Sequence, residues 1–291
     1  MYFGKYVSQE GSEKLLTYQY HGSDNSLIYQ HVLTPMNNFL VEFLPMWLAP
    51  NLITLIGLLL VGISHLLFAI YCPFLDGDAP AWLFVVAAIA LFSYQTLDNL
   101  DGKQARRTGS SSPLGLLFDH GCDALNVSVG TMTMACVMQM GTTWKTLAFS
   151  MSAHEIIPGF QNNSVFVIVT AISSFFTIAV NGVNVLHAYP RMFLWMIGLL
   201  NSKLVLHLML AHLCGEEYHP FRKTLVPIFY VAAHCGFCML EGIYDAINEG
   251  LIVREFFFLS LVSYVHIVIT VVWEVKNVLD IGVFTIRPKK S

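Results

Sequence analysis

The sequence predicts an all-α membrane protein, a polytopic bundle of about seven transmembrane helices. Hydrophobic residues make up 55% of its 291 residues and charged residues only 12%, about half the share that is usual in soluble domains. Mean hydropathy is +0.61. A soluble protein of this size would need far more charge to cover its surface. Several apolar runs approach the ~20 residues that cross a bilayer, so they are interpreted as membrane spans.

The first part of the chain predicts an arm and an interfacial helix. Residues 1–24 are polar and are expected to lie in the cytosol. Across residues 27–44 apolar side chains recur at helical spacing; they are Ile28, Val32, Met36, Phe39, Leu40 and Phe43. The polar residues between them indicate an amphipathic helix. A plain surface helix has the same pattern, but the apolar run that follows favours the membrane interface.

Seven apolar runs are predicted to cross the membrane. They cover residues 48–71, 81–97, 114–140, 165–186, 192–213, 225–240 and 256–272. Pro50 suits the start of the first helix, where the missing N–H would have had no partner. The chain then divides into an arm with the interfacial helix (1–47), the helices that carry the candidate site (48–140) and the remaining helices with a short tail (141–291).

Basic residues near the span ends predict the orientation. Those that follow the second run place this junction in the cytosol; they are Lys103, Arg106 and Arg107. The lysines of the N-terminal arm agree, because two crossings separate them from the junction. The basic tail at residues 287–290 also predicts a cytosolic C-terminus, which an odd number of crossings contradicts. The number of membrane crossings is undecided at the weakly apolar, irregular stretch 141–163.

Charge and cysteine spacing argue against two classes of protein. The formal net charge is −4 and the sequence pI is about 6.2. Nucleic acid is held mainly by dense Lys and Arg, so no nucleic-acid partner is expected. The six cysteines are not spaced as a disulfide framework. Cys235 and Cys238 form a CxxC without a second pair, which favours a packed thiol pair in a membrane helix.

Four aspartates stand at the junction between the second and third runs. Asp98 and Asp101 are three residues apart and share one face if the second helix continues through them. Asp119 and Asp123 are four apart and share one face of the third helix. If these helices are antiparallel neighbours, the four carboxylates converge. A lone DxxD usually marks a solvated turn, so the argument depends on the whole ordered set.

Four neighbouring carboxylates would repel one another and resist ionisation unless cations lie between them. Ligation by oxygen alone suits Mg²⁺, Mn²⁺ or Ca²⁺ rather than zinc or copper. Two such ions can clamp a diphosphate and orient an in-line attack. Because burying charge in a membrane is costly, ionisable groups there indicate function.

Other residues at the junction are candidates for binding phosphate. Gly102, Ala105 and Gly115 leave room for a bulky group against the backbone. Arg106 can offer paired donors to a phosphate. Lys103 and Arg107 are candidates for the same anion or for lipid headgroups. Asn51, at the start of the first span, is equally a candidate for the nucleotide-side phosphates and for a helix cap.

The ordered motif is similar to the signature of the CDP-alcohol phosphotransferases. That signature reads D-x-x-D-G-x-x-A-R, then eight residues, then G-x-x-x-D-x-x-x-D. This sequence supplies every fixed position: Asp98, Asp101, Gly102, Ala105, Arg106, Gly115, Asp119 and Asp123. The segments DGKQARRT and SSPLG, and MWLAPNLITL at residues 46–55, resemble the eukaryotic choline/ethanolamine phosphotransferase branch. The likeness covers nearly the whole chain, unevenly.

The resemblance implies a specific reaction. Phosphocholine or phosphoethanolamine would pass from CDP-choline or CDP-ethanolamine to diacylglycerol by direct displacement that needs Mg²⁺ or Mn²⁺, giving phosphatidylcholine or phosphatidylethanolamine and CMP. The family assigns its principal metal ligands to positions that here are Asp98, Asp101 and Asp119. Asp123 is the family's usual general base, and His120 is a second candidate. The resemblance also implies a membrane of the endoplasmic reticulum or Golgi, a cytosolic active site and a possible homodimer.

The chain departs from that branch after the third run. Members carry a further helix with a Trp-x-x-Tyr pattern, which is absent here, and the irregular stretch 141–163 stands in its place. We therefore expect that a membrane segment is missing or replaced. Two alternatives to an active enzyme follow: an impaired relative that binds a partner subunit, or another enzyme of the superfamily. The sequence does not predict the preference between choline and ethanolamine.

Overall fold

The computed structural model describes residues 5–18, 27–155, 186–217, 230, 233 and 249–286. Within these ranges the chain forms helices and no strand, which confirms the all-α prediction. The helices are α1 (Gln9–Thr17), α2 (Thr34–Val41), α3 (Pro50–Tyr71), α4 (Ala81–Arg107), α5 (Pro113–Val137), α6 (Trp144–Glu155), α7 (Pro190–Cys214) and α8 (Glu249–Leu279). A π-helical segment, Tyr29–Leu33, leads directly into α2.

Four described helices are long and apolar enough to cross a membrane: α3, α4, α7 and the Gly250–Leu279 part of α8. They coincide with four of the predicted spans and confirm that these are helices, and α3 begins at Pro50 as expected. The predicted third span is also a helix, α5, but it is not among these four. The predicted spans 165–186 and 225–240 lie almost entirely outside the described residues, so the count of seven stays a prediction.

The surface of the bundle is apolar where a bilayer would meet it. Large hydrophobic side chains of α3, α4 and α8 are exposed; examples are Leu59, Ile63, Ile70, Val85, Ile89, Phe92, Val262 and Ile269. Exposure of so much apolar surface would be costly in water, whereas lipid tails accept it. By contrast, α7 is largely buried inside the bundle. The chain is therefore an integral membrane protein whose described core is built around α7.

The segment before α3 is fastened to the end of α4. Three side chains of α4 make this connection, which we call the α2 tether: Lys103, Gln104 and Arg107. Arg107 Nη1 donates to the backbone oxygens of Val41 and Leu44, at 3.0 and 2.7 Å. Lys103 Nζ donates to a side chain of α2 at 2.7 Å. Lys103 and Arg107 thus hold the fold here, and the structure does not present them as free anion ligands.

Other polar side chains complete this tether. Gln104 is fully buried, and its Nε2 donates to the backbone oxygens of Pro45 and Leu48 at 2.9 and 3.2 Å. Arg107 Nη2 lies 3.3 Å from Glu42 Oε2. These bonds add side-chain donors to carbonyl groups of residues 41–48, where the chain leaves α2 and approaches α3. They fix the amphipathic segment beside the end of α4, and its apolar side chains Val32, Phe39 and Phe43 are exposed.

The N-terminal arm packs on the same end of α7 and α8. Glu274 of α8 accepts the backbone N–H groups of Tyr6 and Val7 at 3.0 and 2.8 Å. Burial and, secondarily, the charge of Glu274 raise the pKa of the Tyr6 phenol. The phenol therefore stays protonated at neutral pH and can donate to His266 Nδ1, 3.3 Å away. The arm is an ordered part of the bundle over residues 5–18.

The irregular stretch after α5 is partly described. Residues 144–155 form α6, and residues 156–163 lie outside the described part of the chain. The tail at 287–290, on which the orientation argument depended, also lies outside it. The proposed absence of a membrane segment near residues 141–163 therefore stays a prediction.

Candidate active site

A short turn, residues 108–112, holds the ends of α4 and α5 in a fixed relation. Gly109 has φ +65°, the left-handed conformation that glycine adopts at little cost. The N–H groups of Gly109 and Ser110 donate to the backbone oxygens of Arg106 and Ala105, at 3.2 and 2.9 Å, the pattern of a Schellman motif. Ser112 then caps α5 by accepting the N–H of Gly115 at 3.1 Å. Both helix ends are thus defined by local sequence.

Three aspartates from the two helices meet beside this turn. Asp98 of α4 and Asp119 and Asp123 of α5 each offer a carboxylate oxygen, and these oxygens all lie within 4.8 Å of one another. α4 continues through Asp98 to Arg107, as the sequence argument required. The predicted convergence is thereby confirmed for these three residues.

Two of the three carboxylates have unmet bonding capacity. The Oδ1 atoms of Asp98 and Asp119 are buried and have no hydrogen-bond partner in the part of the chain that the structure describes. An anionic oxygen buried without a donor is costly, and the mutual repulsion of the three groups adds to the cost. A hard divalent cation removes both penalties, since carboxylate oxygens are its preferred ligands. The side chains present therefore fit a bound divalent cation.

Asp101 is placed differently from the other three aspartates. Its side chain is buried, and Asp101 Oδ2 accepts a hydrogen bond from the hydroxyl of Thr54 on α3. It is not part of the three-residue group, although it is close enough to Asp119 for the two charges to interact. The structure thus brings three aspartates to one point, with the fourth at its edge. The assignment of Asp101 as a metal ligand stays a prediction.

Two residues of the site were missed by sequence reasoning. Tyr94 is 1% exposed and its hydroxyl donates to Asp123 Oδ1 at 2.6 Å. A signal for it existed, because Tyr94, Asp98 and Asp101 follow one another at helical spacing along one face of α4. Thr54 had no such signal, since its contact with Asp101 joins two different helices. Gly57 of α3 allows the Tyr94 ring to pack closely against α3, because a Cβ at this position would lie 3.3 Å from the ring.

The predicted phosphate-binding residues of α4 lie between the aspartate group and the end of the helix at Arg107. Arg106 is exposed, and no described residue pairs with its guanidinium. A Cβ on Gly102 would lie 3.7 Å from Arg106 Nη1, so the arginine side chain folds back beside this glycine. Ala105 is half-buried on the same turns of α4. The roles of Gly102, Ala105 and Arg106 in binding phosphate stay predictions.

Asn51 and Gly115 are neighbours across the start of α3 and α5. A Cβ on Gly115 would lie 3.6 Å from Asn51 Oδ1, and Asn51 Nδ2 donates to the backbone oxygen of Val283 at 2.9 Å. Ala49, and not Asn51, is the N-cap residue of α3. The helix-cap alternative for Asn51 is therefore wrong. Its contact with nucleotide-side phosphates stays a prediction.

His120 lies on α5 beside the aspartates. It is half-buried and close enough to Asp123 and His212 for their charges to interact. No described residue forms a hydrogen bond with its ring. His212, at the end of α7, packs against Tyr18 of the arm with ring centroids 6.4 Å apart. His120 thus stands where the arm, α7 and the aspartate group approach one another.

Comparison with known proteins places these residues in context. The sequence model of a family described as CDP-alcohol phosphatidyltransferase matches residues 47–272. This range contains the three-aspartate group, Asp101, Arg106 and Tyr94. It begins just before α3 and ends within α8.

Three curated relatives illustrate the extent of similarity. An uncharacterized CDP-alcohol phosphatidyltransferase class-I family protein 1 of Dictyostelium discoideum is 28% identical over 98% of this chain and 97% of its own length. Choline/ethanolaminephosphotransferase 2 of Arabidopsis thaliana is 45% identical over 48% of this chain and 36% of its own length. Cholinephosphotransferase 1 of Xenopus laevis is 44% identical over 49% of this chain and 35% of its own length. The chain therefore matches about a third of the length of the latter two.

Proposed function

The chain belongs to the CDP-alcohol phosphatidyltransferase family, and from this premise we propose that it transfers phosphocholine or phosphoethanolamine from CDP-choline or CDP-ethanolamine to diacylglycerol, releasing CMP. The observation that carries the proposal is the meeting of Asp98, Asp119 and Asp123 within 4.8 Å at the α4–α5 junction. The names of the Arabidopsis and Xenopus relatives support the choice of substrate.

Asp98, Asp119 and Asp123 would hold a divalent ion, and Asp101 is the candidate to complete a second. Mg²⁺ or Mn²⁺ suits a site made of carboxylates alone. Such ions supply charge neutralisation for the diphosphate and for the departing CMP. Thr54 holds Asp101 at the edge of the group, so the second ion depends on whether this hydrogen bond persists when substrate is bound.

The remaining residues of the motif would receive the nucleotide. Arg106 offers paired N–H donors to the diphosphate oxygens, and its exposed guanidinium is not engaged by any described residue. Gly102, Ala105 and Gly115 keep side chains away from the backbone where the nucleotide approaches. Asn51 Oδ1 lies beside Gly115 and extends this surface to α3.

The acceptor hydroxyl must lose a proton as it attacks phosphorus, and we propose that His120 accepts this proton. Asp123 is the alternative, but Asp123 already accepts a hydrogen bond from Tyr94 and belongs to the aspartate group. The His120 ring is not committed to any described residue. A neutral imidazole is a suitable proton acceptor near neutral pH.

A transfer assay tests the proposed function. Membranes that contain the protein are incubated with labelled CDP-choline or CDP-ethanolamine, diacylglycerol and Mg²⁺ or Mn²⁺, and labelled lipid and CMP are measured. We expect product from the wild type and none from Asp119→Ala, with Asp78→Asn, at an exposed aspartate in the α3–α4 loop, as the matched control. Use of CDP-diacylglycerol but of neither CDP-amine would contradict the proposal and indicate another enzyme of the family.

A specific observation favours a second candidate function. The alignment with the Dictyostelium relative spans 372 residues, more than this chain possesses, so the relative has segments that this chain lacks. A chain without part of the substrate pocket would bind nucleotide and act through a partner subunit. CDP-choline binding without turnover in the same assay would support this function.

We further propose that the aspartate end faces the cytosol at the endoplasmic reticulum or Golgi. The basic side chains at that end support this orientation under the positive-inside rule; they are Lys5, Lys14, Lys103, Arg106 and Arg107. Protease protection of tags in the arm and at residue 109 tests it, and protection of both sites in sealed microsomes would contradict it. Chemical cross-linking in membranes tests the proposed homodimer.

A further inference from the structure

Asn126 extends the face of α5 that carries the catalytic aspartates. Asp119, Asp123 and Asn126 stand at positions i, i+4 and i+7, so they line one side of the helix. At 1.5 Å per residue, Asn126 lies roughly 4.5 Å beyond Asp123 along the helix axis. The direction is away from the α4–α5 turn and toward the middle of the bundle.

The amide oxygen of Asn126 is buried and has no hydrogen-bond partner among the described residues. Burial of an unpaired amide oxygen is costly. Other polar residues of α5 avoid this cost by bonding to their own helix. Thr131 and Thr133 donate to the backbone oxygens of Ser128 and Val129, at 3.1 and 2.9 Å. An apolar side chain at position 126 would suit the bundle better, unless a ligand completes the amide.

The chemistry of the two substrates decides which ligand fits. The nucleotide is charged and reaches the aspartates from the aqueous end, beside Arg106. The acceptor lipid is apolar and approaches from within the membrane, and its polar groups are one hydroxyl and two neighbouring esters. An amide complements these groups, because Nδ2 can donate to an ester oxygen while Oδ1 accepts the hydroxyl's hydrogen bond in the bound state, before that proton passes to His120 in the transfer step. We infer that Asn126 binds the glycerol part of the acceptor lipid and places its hydroxyl beside the aspartate group.

This inference rests on the proposed function, and substitution separates the two. Asn126→Leu removes the amide at similar volume. In mixed micelles we expect the KM for diacylglycerol to rise about 10-fold, the loss of one or two hydrogen bonds. The KM for CDP-choline and the Mn²⁺ concentration for half-maximal activity stay unchanged. Ser64→Ala, at a buried serine of α3 whose hydroxyl also bonds to no described residue, is the matched control and leaves all three values unchanged.

A binding measurement makes the outcome independent of turnover. A photoactivatable diacylglycerol should label the wild type more strongly than Asn126→Leu, with Ser64→Ala equal to the wild type. Equal labelling of wild type and Asn126→Leu, or an unchanged KM for diacylglycerol, would overturn the inference and indicate that water occupies the amide. Equal increases in both KM values would overturn it too, since they indicate a structural role. If the wild type is inactive but is still labelled more strongly than Asn126→Leu, only the proposed reaction is contradicted, and the inference about Asn126 stands.

Discussion

The last turns of α4 carry two groups of polar side chains that the protein treats in opposite ways. Lys103, Gln104 and Arg107 of the α2 tether are bonded to backbone and side-chain groups of residues 38–48. Asp98, only five residues before Lys103, keeps a buried oxygen to which no described residue donates. Polar groups that hold a fold are normally satisfied by the protein itself. Because it lies beside the carboxylates of Asp119 and Asp123, this unsatisfied group marks the part of the helix that fits a divalent cation.

The largest expected effect comes from neutralising one of the unsatisfied carboxylates. Asp119→Asn should lower transferase activity by at least about 1,000-fold, because a metal ligand contributes several kcal/mol to the transition state. Its melting temperature in detergent without metal should stay equal or rise, since a repulsive charge is removed. Activity and thermal unfolding are measured on the same preparation. A stable protein with near-normal activity would show that the three-aspartate group is not the catalytic centre.

The next effect separates the two candidate proton acceptors. His120→Gln should lower kcat about 100-fold, within the range typical for general-base catalysis. The Mn²⁺ concentration for half-maximal activity should not change, because His120 is not in the aspartate group. Asp123→Asn should raise that Mn²⁺ concentration. If instead Asp123→Asn lowers kcat with unchanged Mn²⁺ dependence and His120→Gln is nearly silent, the base assignment must be reversed.

Two adjacent arginines sharpen the comparison of the two regions. Arg106→Gln should raise the KM for CDP-choline about 10-fold through loss of charged hydrogen bonds to phosphate, and it should leave thermal stability unchanged. Arg107→Gln should lower the free energy of unfolding by about 1–3 kcal/mol, because the backbone oxygens of residues 41 and 44 lose the hydrogen bonds from the guanidinium. Its KM should stay normal. If Arg106→Gln lowered the stability and Arg107→Gln raised the KM for CDP-choline, the roles assigned to the two arginines would be reversed.

The smallest effect is expected at Tyr94, which supports the site without belonging to the family motif. Tyr94→Phe keeps the ring in its buried position and removes only the donor to Asp123. We expect kcat to fall about 3- to 10-fold, as for one hydrogen bond to a charged group. Tyr6→Phe, in the N-terminal arm, where the phenol bonds to His266 and not to an aspartate, serves as the control for removal of a phenol hydroxyl. A loss as large as that of Asp119→Asn would show that Tyr94 contacts the reacting groups directly.

The sequence was sufficient to predict the described long helices and the meeting of Asp98, Asp119 and Asp123, for identifiable reasons. Periodicity and Pro50 predicted α3 correctly, and the aspartate spacing predicted the shared faces of α4 and α5. The different position of Asp101 could not be predicted, because its partner Thr54 comes from another helix. The tether was missed for the same reason. Arg107 was predicted to bind a phosphate or a lipid headgroup, because sequence spacing does not identify the backbone oxygens that it contacts.

The most direct test of the central claim is Mn²⁺ binding to the purified protein, followed by electron paramagnetic resonance. If the unsatisfied oxygens form the metal site, the wild type and Arg107→Gln will both remove free Mn²⁺ from solution. Asp98→Asn, which changes one ligand of the group, will bind it much more weakly. Equal Mn²⁺ affinity in the wild type and Asp98→Asn would contradict the account, because the site would then lie elsewhere.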